Sequence, residues 1–197
     1  MSATSHSVNT AGNPPVAIRV LIGPVARVAV VLLVAVLIVA GLVAAVASVQ
    51  TRRVIAFQFP AGTLGWRGVA VVVLDNARLA LAPLAAAYLL ELIRPPVGNG
   101  WSGWRRALRS GCDAVLGGAV LTNVVIAGAS YGAYGLRMAR YTLPYAPFEL
   151  LAFACPLALW LDARRASPPR RNVLALCGVA AVLLTGSGLM ESLLPPL

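Results

Sequence analysis

The sequence predicts an all-α polytopic transmembrane bundle of about five membrane-spanning helices, preceded by a short interfacial N-terminal helix. Three observations indicate this fold class. The chain of 197 residues is 59% hydrophobic and only 11% charged, and its mean hydropathy is +0.84. In addition, five apolar segments approach the roughly 20 residues that a helix needs to cross a bilayer. We therefore expect a single transmembrane domain over residues 16–197.

The chain is predicted to begin with a polar tail, which is followed by an interfacial segment and then by the five spans. Residues 1–15 are rich in Ser, Thr, Asn, Gly and Pro, which predicts a disordered cytoplasmic tail. In the next stretch, 16–27, two arginines flank a proline, a pattern typical of a short interfacial helix. The fourth span is the shortest and contains Pro147 and Pro156, which favours a kinked or re-entrant segment. The predicted spans are 28–49, 68–93, 112–130, 147–163 and 172–190.

The arginines between these spans are distributed unequally. The chain has 16 arginines and no lysine; ten lie on the side of the N-terminus and five on the opposite side. The positive-inside rule then predicts a multi-pass protein with a cytoplasmic N-terminus and an extracytoplasmic C-terminus. Arg without Lys, beside abundant Ala, Val and Gly, indicates a bacterial source and hence the bacterial cytoplasmic membrane. The short arginine clusters suit anionic lipid headgroups, and nucleic-acid binding is not expected.

Polar residues interrupt the second predicted span at Asp75, Asn76 and Arg78. Charged groups at bilayer depth are costly unless they face a partner or water, so they indicate a functional site by default. Glu149 and Glu191 lie near the same membrane face in the fourth and fifth spans. We expect these five residues to form one intramembrane cluster, with Arg78 paired to one of the acids. Such a cluster is either structural or binds a ligand, ion or partner.

The external loop between the third and fourth spans interleaves tyrosines with arginines. It would contact anionic lipid, an envelope polymer or a partner protein, or form an interfacial collar. Its candidate contact residues are Tyr131, Tyr134, Arg137, Arg140, Tyr141 and Tyr145. Just before it, Gly128 and Gly132 form a G-x-x-x-G pattern, which indicates close helix packing within the chain or between copies.

Catalytic and metal-binding residues are not predicted. His6 is the only histidine, and the three cysteines have neither CxxC nor His-paired spacing. The motif H-E-x-x-H does not occur, and Ser130, within the G-x-S-x-G pattern of residues 128–132, has no histidine base because the only histidine lies in the N-terminal tail. We therefore expect neither enzymatic activity nor a cofactor.

Three motifs carry a resemblance to a known family. They are LDNARLAL at 74–81, LPYAPFELLAF at 143–153 and GLMESLLPP at 188–196. They resemble the Asn-Asn with a following Arg, the Leu-Pro-His-Gly-x-x-Glu-Leu and the Leu-Ile-Glu-x-x-x-x-Pro of the stage II sporulation protein M family, with Tyr145 and Ala146 in place of His-Gly. The resemblance implies a bacterial α-helical membrane protein of about five spans without established enzymatic chemistry. Namesakes of the family act in the membrane complex that localises peptidoglycan hydrolysis during engulfment.

Two functional hypotheses follow from these observations. The first is a non-catalytic integral membrane scaffold or assembly protein of an envelope-remodelling, peptidoglycan-associated complex. Its expected partners are the lipid bilayer and other membrane or envelope proteins, and a homo-oligomer is also compatible with the sequence. The second is a transporter or permease-like component that binds an ion or small anion at the Asp/Arg/Glu cluster. Five spans cannot form two equal inverted halves, which disfavours the second hypothesis.

Overall fold

A computed structural model describes residues 16–57, 65–94, 102–165 and 168–193. All regular elements within these ranges are helices, in the order α1 (Val16–Val46), α2 (Ser48–Ile55), α3 (Gly65–Leu92), α4 (Gly103–Tyr134), α5 (Leu136–Thr142), α6 (Ala146–Ala163) and α7 (Arg170–Leu193). Five of these helices, α1, α3, α4, α6 and α7, are long and apolar enough to cross a membrane. The predicted all-α, multi-span bundle is therefore confirmed. The predicted tail lies outside the described residues.

The N-terminal part of the bundle differs from the sequence prediction. The stretch 16–27, expected as a separate interfacial helix, is the first part of the continuous helix α1. Pro24 lies inside α1 without ending it, because a proline removes only one hydrogen bond, to the carbonyl four residues earlier. The helix ends later, at Val46, and the short helix α2 follows. Ala56 closes α2 in the left-handed conformation, with φ of 44°.

Helix α6 lies at the centre of the bundle and contacts α1, α3 and α7. Its Cys155 and Leu159 pack with Leu176 and Ala180 of α7, while Trp160 packs against buried residues of α3 and α4. The shortest predicted span is thus the most deeply buried of the five. Neighbouring helices surround it in place of lipid, which suits a short segment with prolines.

Helices α1 and α4 approach each other closely at two glycines. A Cβ atom added to Gly128 would lie 2.6 Å from Cβ of Val39, and one added to Gly132 would lie 2.5 Å from the carbonyl oxygen of Ala40. Either distance is too short for a real side chain, so only glycine permits this spacing of the two backbones. The G-x-x-x-G pattern therefore serves packing within the chain.

The end of the bundle that carries Arg94 and Arg164, called here the arginine-rich end, is fastened by side chains. Arg94 donates from Nη2 to the carbonyl oxygen of Ala163 at 2.6 Å, which joins α3 to the end of α6. Arg164 Nη2 lies 2.8 Å from Oδ2 of Asp113, which joins the end of α6 to α4. These contacts fix the relative height of three helices. The polar residues discussed next lie towards the opposite end.

Candidate functional site

Glu149 is the residue at which three helices meet. It lies in the first turn of α6 and is partly buried. Its Oε1 accepts a hydrogen bond of 2.5 Å from Nδ2 of Asn76 on α3 and one of 2.9 Å from Oγ of Ser187 on α7. We call Asn76, Glu149 and Ser187 the Glu149 cluster. A carboxylate near a helix N-terminus is also favoured by the helix dipole.

Close packing of α7 on α3 brings Ser187 within reach of Glu149. A Cβ atom added to the next residue, Gly188, would lie 2.6 Å from Cγ2 of Val73, so a larger residue would require the Val73 side chain to move. Ser187 itself is completely buried. The glycine therefore allows α7 to lie close to Val73 of α3, and Ser187 donates a hydrogen bond to the Glu149 carboxylate.

Glu191 lies one turn after Ser187 on α7 and is partly buried. It shares no hydrogen bond with Glu149, but the two carboxylates are near enough for their charges to interact. Two phenols from outside the spans lie near it. Burial raises the pKa of Tyr145 and of Tyr141 above the ordinary value, and the negative charge of Glu191 raises both further. This end of the bundle thus holds two acids and two neutral tyrosines.

Asp75 and Arg78 lie apart from the Glu149 cluster. Nη1 of Arg78 is 3.2 Å from Oδ1 of Asp75, and the two side chains are 79% and 62% exposed, respectively. Arg78 is thus paired with one of the three candidate acids, Asp75, but the pair does not join Glu149 and Glu191 in the single buried cluster that was expected. Successive helix positions are rotated by about 100°, so Asn76 points towards α6 while its neighbour Asp75 points outward. The five predicted residues therefore form two separate sites.

The tyrosines of the predicted external loop pack against one another and against Phe57, with Tyr145 buried and Tyr131, Tyr134 and Tyr141 partly buried. Tyr145 is only 6% exposed, and its ring packs edge-on against Tyr141 at 5.9 Å between centroids. Phe57 packs against Tyr141 at 5.9 Å and against Tyr134 at 6.1 Å. The hydroxyls of Tyr131 and Thr142 lie 2.6 Å apart.

Tyr145 is therefore buried away from any external contact, while the predicted contacts of the partly buried Tyr131, Tyr134 and Tyr141 with lipid, polymer or a partner stay a prediction. Their rings bury more apolar area by stacking on one another than by lying on the surface. Arg137 and Arg140 of the same segment are exposed, in line with their predicted position on the surface.

Several residues of this region could not be found from the sequence. Ser187 is a short polar residue inside an apolar span, and the glycines on either side were its only signal. Arg52 donates from Nε to the carbonyl oxygen of Ala133, and the backbone N–H of Phe57 donates to the hydroxyl of Tyr134 at 2.9 Å. Both contacts join positions about 80 residues apart. The local sequence pattern gives no sign of contacts between such distant positions.

The chemistry available in the described residues is limited. No group of three His, Cys, Asp or Glu side chains suited to a metal ion occurs there. Two open apolar grooves of about 340 and 330 Å³ lie on the described part of the bundle, and neither is lined by the Glu149 cluster. The hydrogen bonds of Glu149 therefore have an evident structural effect, since they hold α3, α6 and α7 together.

Comparison with known proteins adds no further constraint. No family model matches the chain, and no curated protein or solved structure matches it.

Proposed function

We propose that the protein is a non-catalytic membrane scaffold that assembles with other membrane proteins through the outward face of α3. The exposed Asp75–Arg78 pair is the observation that supports this proposal. Arg78 lies near the middle of the candidate span Trp66–Leu92, roughly 18 to 21 Å along the helix from either end. At that depth the natural neighbour of a charged pair is protein.

Lipid is an unfavourable neighbour for these two side chains. Insertion scales assign about 2.5 to 3.5 kcal/mol to an Arg or Asp at the centre of a membrane helix. Pairing Arg78 with Asp75 lowers this penalty, but both side chains keep more than half of their surface uncovered. A helix of another protein molecule that supplied polar atoms would cover that surface and remove much of the penalty.

The role in the bacterial envelope is proposed from the motifs that resemble the stage II sporulation protein M family. In the structure, Asn76 of the first motif bonds to Glu149 of the second, which supports treating the motifs as one structural unit. The distribution of arginines supports a location in the bacterial cytoplasmic membrane with the N-terminus inside. In this proposal the scaffold belongs to a peptidoglycan-associated remodelling complex.

A transporter component is the second candidate, and the proximity of Glu149 and Glu191 is the observation that favours it. Two partly buried carboxylates at the same end of a membrane protein are suited to binding protons or cations. The test is transport of protons or small ions by the purified protein in liposomes. Transport that disappears in Glu149→Gln would replace the scaffold proposal.

Photo-cross-linking in living cells tests the scaffold proposal. A photoreactive amino acid replaces Leu81, which is 58% exposed and one turn from Arg78; the matched control replaces Val182 of α7, which is 72% exposed. We expect protein adducts from position 81 and only lipid adducts from position 182. Lipid adducts alone from every exposed position of α3 would contradict the proposal.

Purification from cells in mild detergent tests the envelope role separately. We expect the full-length chain to retain envelope or cell-wall proteins that a Gly132→Leu variant, with its α1–α4 packing disrupted, retains poorly. A parent preparation that contained no envelope or cell-wall protein would remove this part of the proposal.

A further inference from the structure

Six exposed residues of α3 follow the spacing of a helix–helix seam. They are Val71, Asp75, Arg78, Ala82, Ala85 and Leu89. The intervals alternate between four and three residues, the repeat that keeps one face of a helix against a parallel neighbour in a left-handed coil. We call these six residues the α3 seam, and the Asp75–Arg78 pair lies within it.

An apolar groove borders the α3 seam. It has a volume of about 340 Å³ and runs between α3 and α4, with Ala82, Ala85 and Leu89 on one wall and Cys112 and Val115 on the other. The alanines leave room for the backbone of another helix to approach closely, which is how helices associate in membranes. The seam therefore combines small residues with two uncovered charges.

We propose that a second copy of this chain docks on the α3 seam, forming a parallel dimer with a two-fold axis along the membrane normal. This inference rests on the proposed scaffold function and identifies its first partner. Two copies inserted in the same orientation place equal positions at equal depth. Asp75 and Arg78 are offset by about 4.5 Å along the helix, a distance that an arginine side chain spans readily.

Charge complementarity identifies the occupant as a second copy. The two-fold axis places Arg78 of each copy beside Asp75 of the other, so that four charges sum to zero at the interface. A helix of a different protein would need its own acid and base at the matching depth and in the matching order. The second copy supplies both by symmetry.

Disulfide cross-linking of the full-length chain in native membrane vesicles tests this dimer. Alanine replaces the three native cysteines, and a cysteine is introduced on the seam as Ala82→Cys or, in the matched control, on the exposed face of α7 as Val182→Cys. We expect oxidation to produce covalent dimer from Ala82→Cys and only background from Val182→Cys. Background yield from Ala82→Cys would overturn the proposal.

Charge reversal distinguishes pairing between two copies from pairing of Asp75 with Arg78 within one chain. Asp75→Arg and Arg78→Asp each place like charges across the interface, so each should lose the cross-linked dimer. Co-expression of the two variants under different tags should restore it as a mixed dimer, because each then supplies the charges that the other lacks. The double variant Asp75→Arg/Arg78→Asp should dimerise alone, which controls for insertion and folding.

The outcomes separate this inference from the scaffold proposal. Dimerisation of Asp75→Arg at the parental level, or failure of the mixed dimer to form from two inserted variants, would overturn the second-copy proposal. Photo-adducts from the seam position 82 with a different membrane protein, and none with a second copy, would overturn it while leaving the scaffold function in place. Lipid adducts alone from every exposed position of α3 would contradict both the second-copy proposal and the scaffold proposal.

Discussion

Asn76 on α3 and Glu149 on α6, 73 residues apart in sequence, are joined by a hydrogen bond of 2.5 Å. The same carboxylate oxygen accepts a second bond from Ser187 on α7. One oxygen atom therefore connects three membrane-spanning helices. A partly buried carboxylate that loses a donor retains the penalty of its desolvation, so changes at this junction should be measurable as changes in stability.

Replacing Asn76 by Ala should lower the free energy of unfolding by about 1 to 3 kcal/mol, because Glu149 would lose a donor. Equilibrium unfolding in mild detergent is the measurement. Asn123→Ala is the matched control, since Asn123 is exposed on α4 and donates only to the carbonyl of Ala119 in its own helix. Equal losses in the two variants would show that the Asn76–Glu149 bond contributes no specific stability.

The glycines at the α1–α4 contact should not tolerate even a methyl group. Gly128→Ala and Gly132→Ala should each destabilise the bundle by about 1 to 3 kcal/mol, because the added Cβ would overlap atoms of α1. Gly117→Ala and Gly118→Ala are controls on the same helix with nothing within 4 Å, and alanine there should be neutral or stabilising by up to about 1 kcal/mol. Unfolding midpoints that ranked the four variants otherwise would contradict the contact.

The tyrosines near Glu191 should make the bundle sensitive to alkali. The pKa values of Tyr141 and Tyr145 are raised from 10.0 by burial and by Glu191. These phenols therefore keep their protons in the folded chain at a pH where the unfolded chain loses them. Their contribution to stability is fully present below pH 10 and is lost as the pH rises beyond it.

Glu191→Gln removes the largest charge contribution to both shifts and should lower the pKa of both phenols. Ultraviolet absorption of tyrosinate during a pH titration measures this, with Tyr145→Phe and Tyr141→Phe to separate the two phenols. Glu91→Gln, at the arginine-rich end, is the matched control. An identical titration curve in the parent and in Glu191→Gln would show that Glu191 does not act on these tyrosines.

The bond from Arg94 to the carbonyl of Ala163 should stabilise the end of α6. Arg94→Ala removes a charged donor from a helix C-terminus and should cost about 1 to 2 kcal/mol of unfolding free energy. Arg165→Ala is a nearby control, because that side chain is exposed. Faster hydrogen exchange confined to the last turn of α6 in Arg94→Ala would locate the effect, whereas unchanged exchange there would argue against the bond.

The number of spans was predictable because bilayer thickness imposes a length on every apolar segment. The orientation of individual side chains was not, and Asp75 illustrates the reason. Helix α3 is apolar on most of its surface, so its periodicity does not distinguish the face that meets α6 from the face that meets the surroundings. Three adjacent polar residues were therefore assigned to one cluster, although the structure divides them between two faces.

The short helices α2 and α5 were missed for a different reason. Each has eight residues or fewer, too short to show a reliable repeat, and each depends on tertiary contacts such as that of Phe57 with Tyr134. The buried position of Tyr145 depends on the same contacts. A sequence rich in tyrosine and arginine is equally compatible with a surface collar and with an interior stack.

The central position of α6 has a consequence for biosynthesis. With 18 residues, the lowest hydropathy of the five candidate spans and an acid in its first turn, α6 would partition only weakly into lipid by itself. Its neighbours α1 and α3 leave the ribosome earlier and α7 leaves later. We therefore expect α6 to remain beside the translocon until α7 emerges, so that the last two helices enter the bilayer together as a pair.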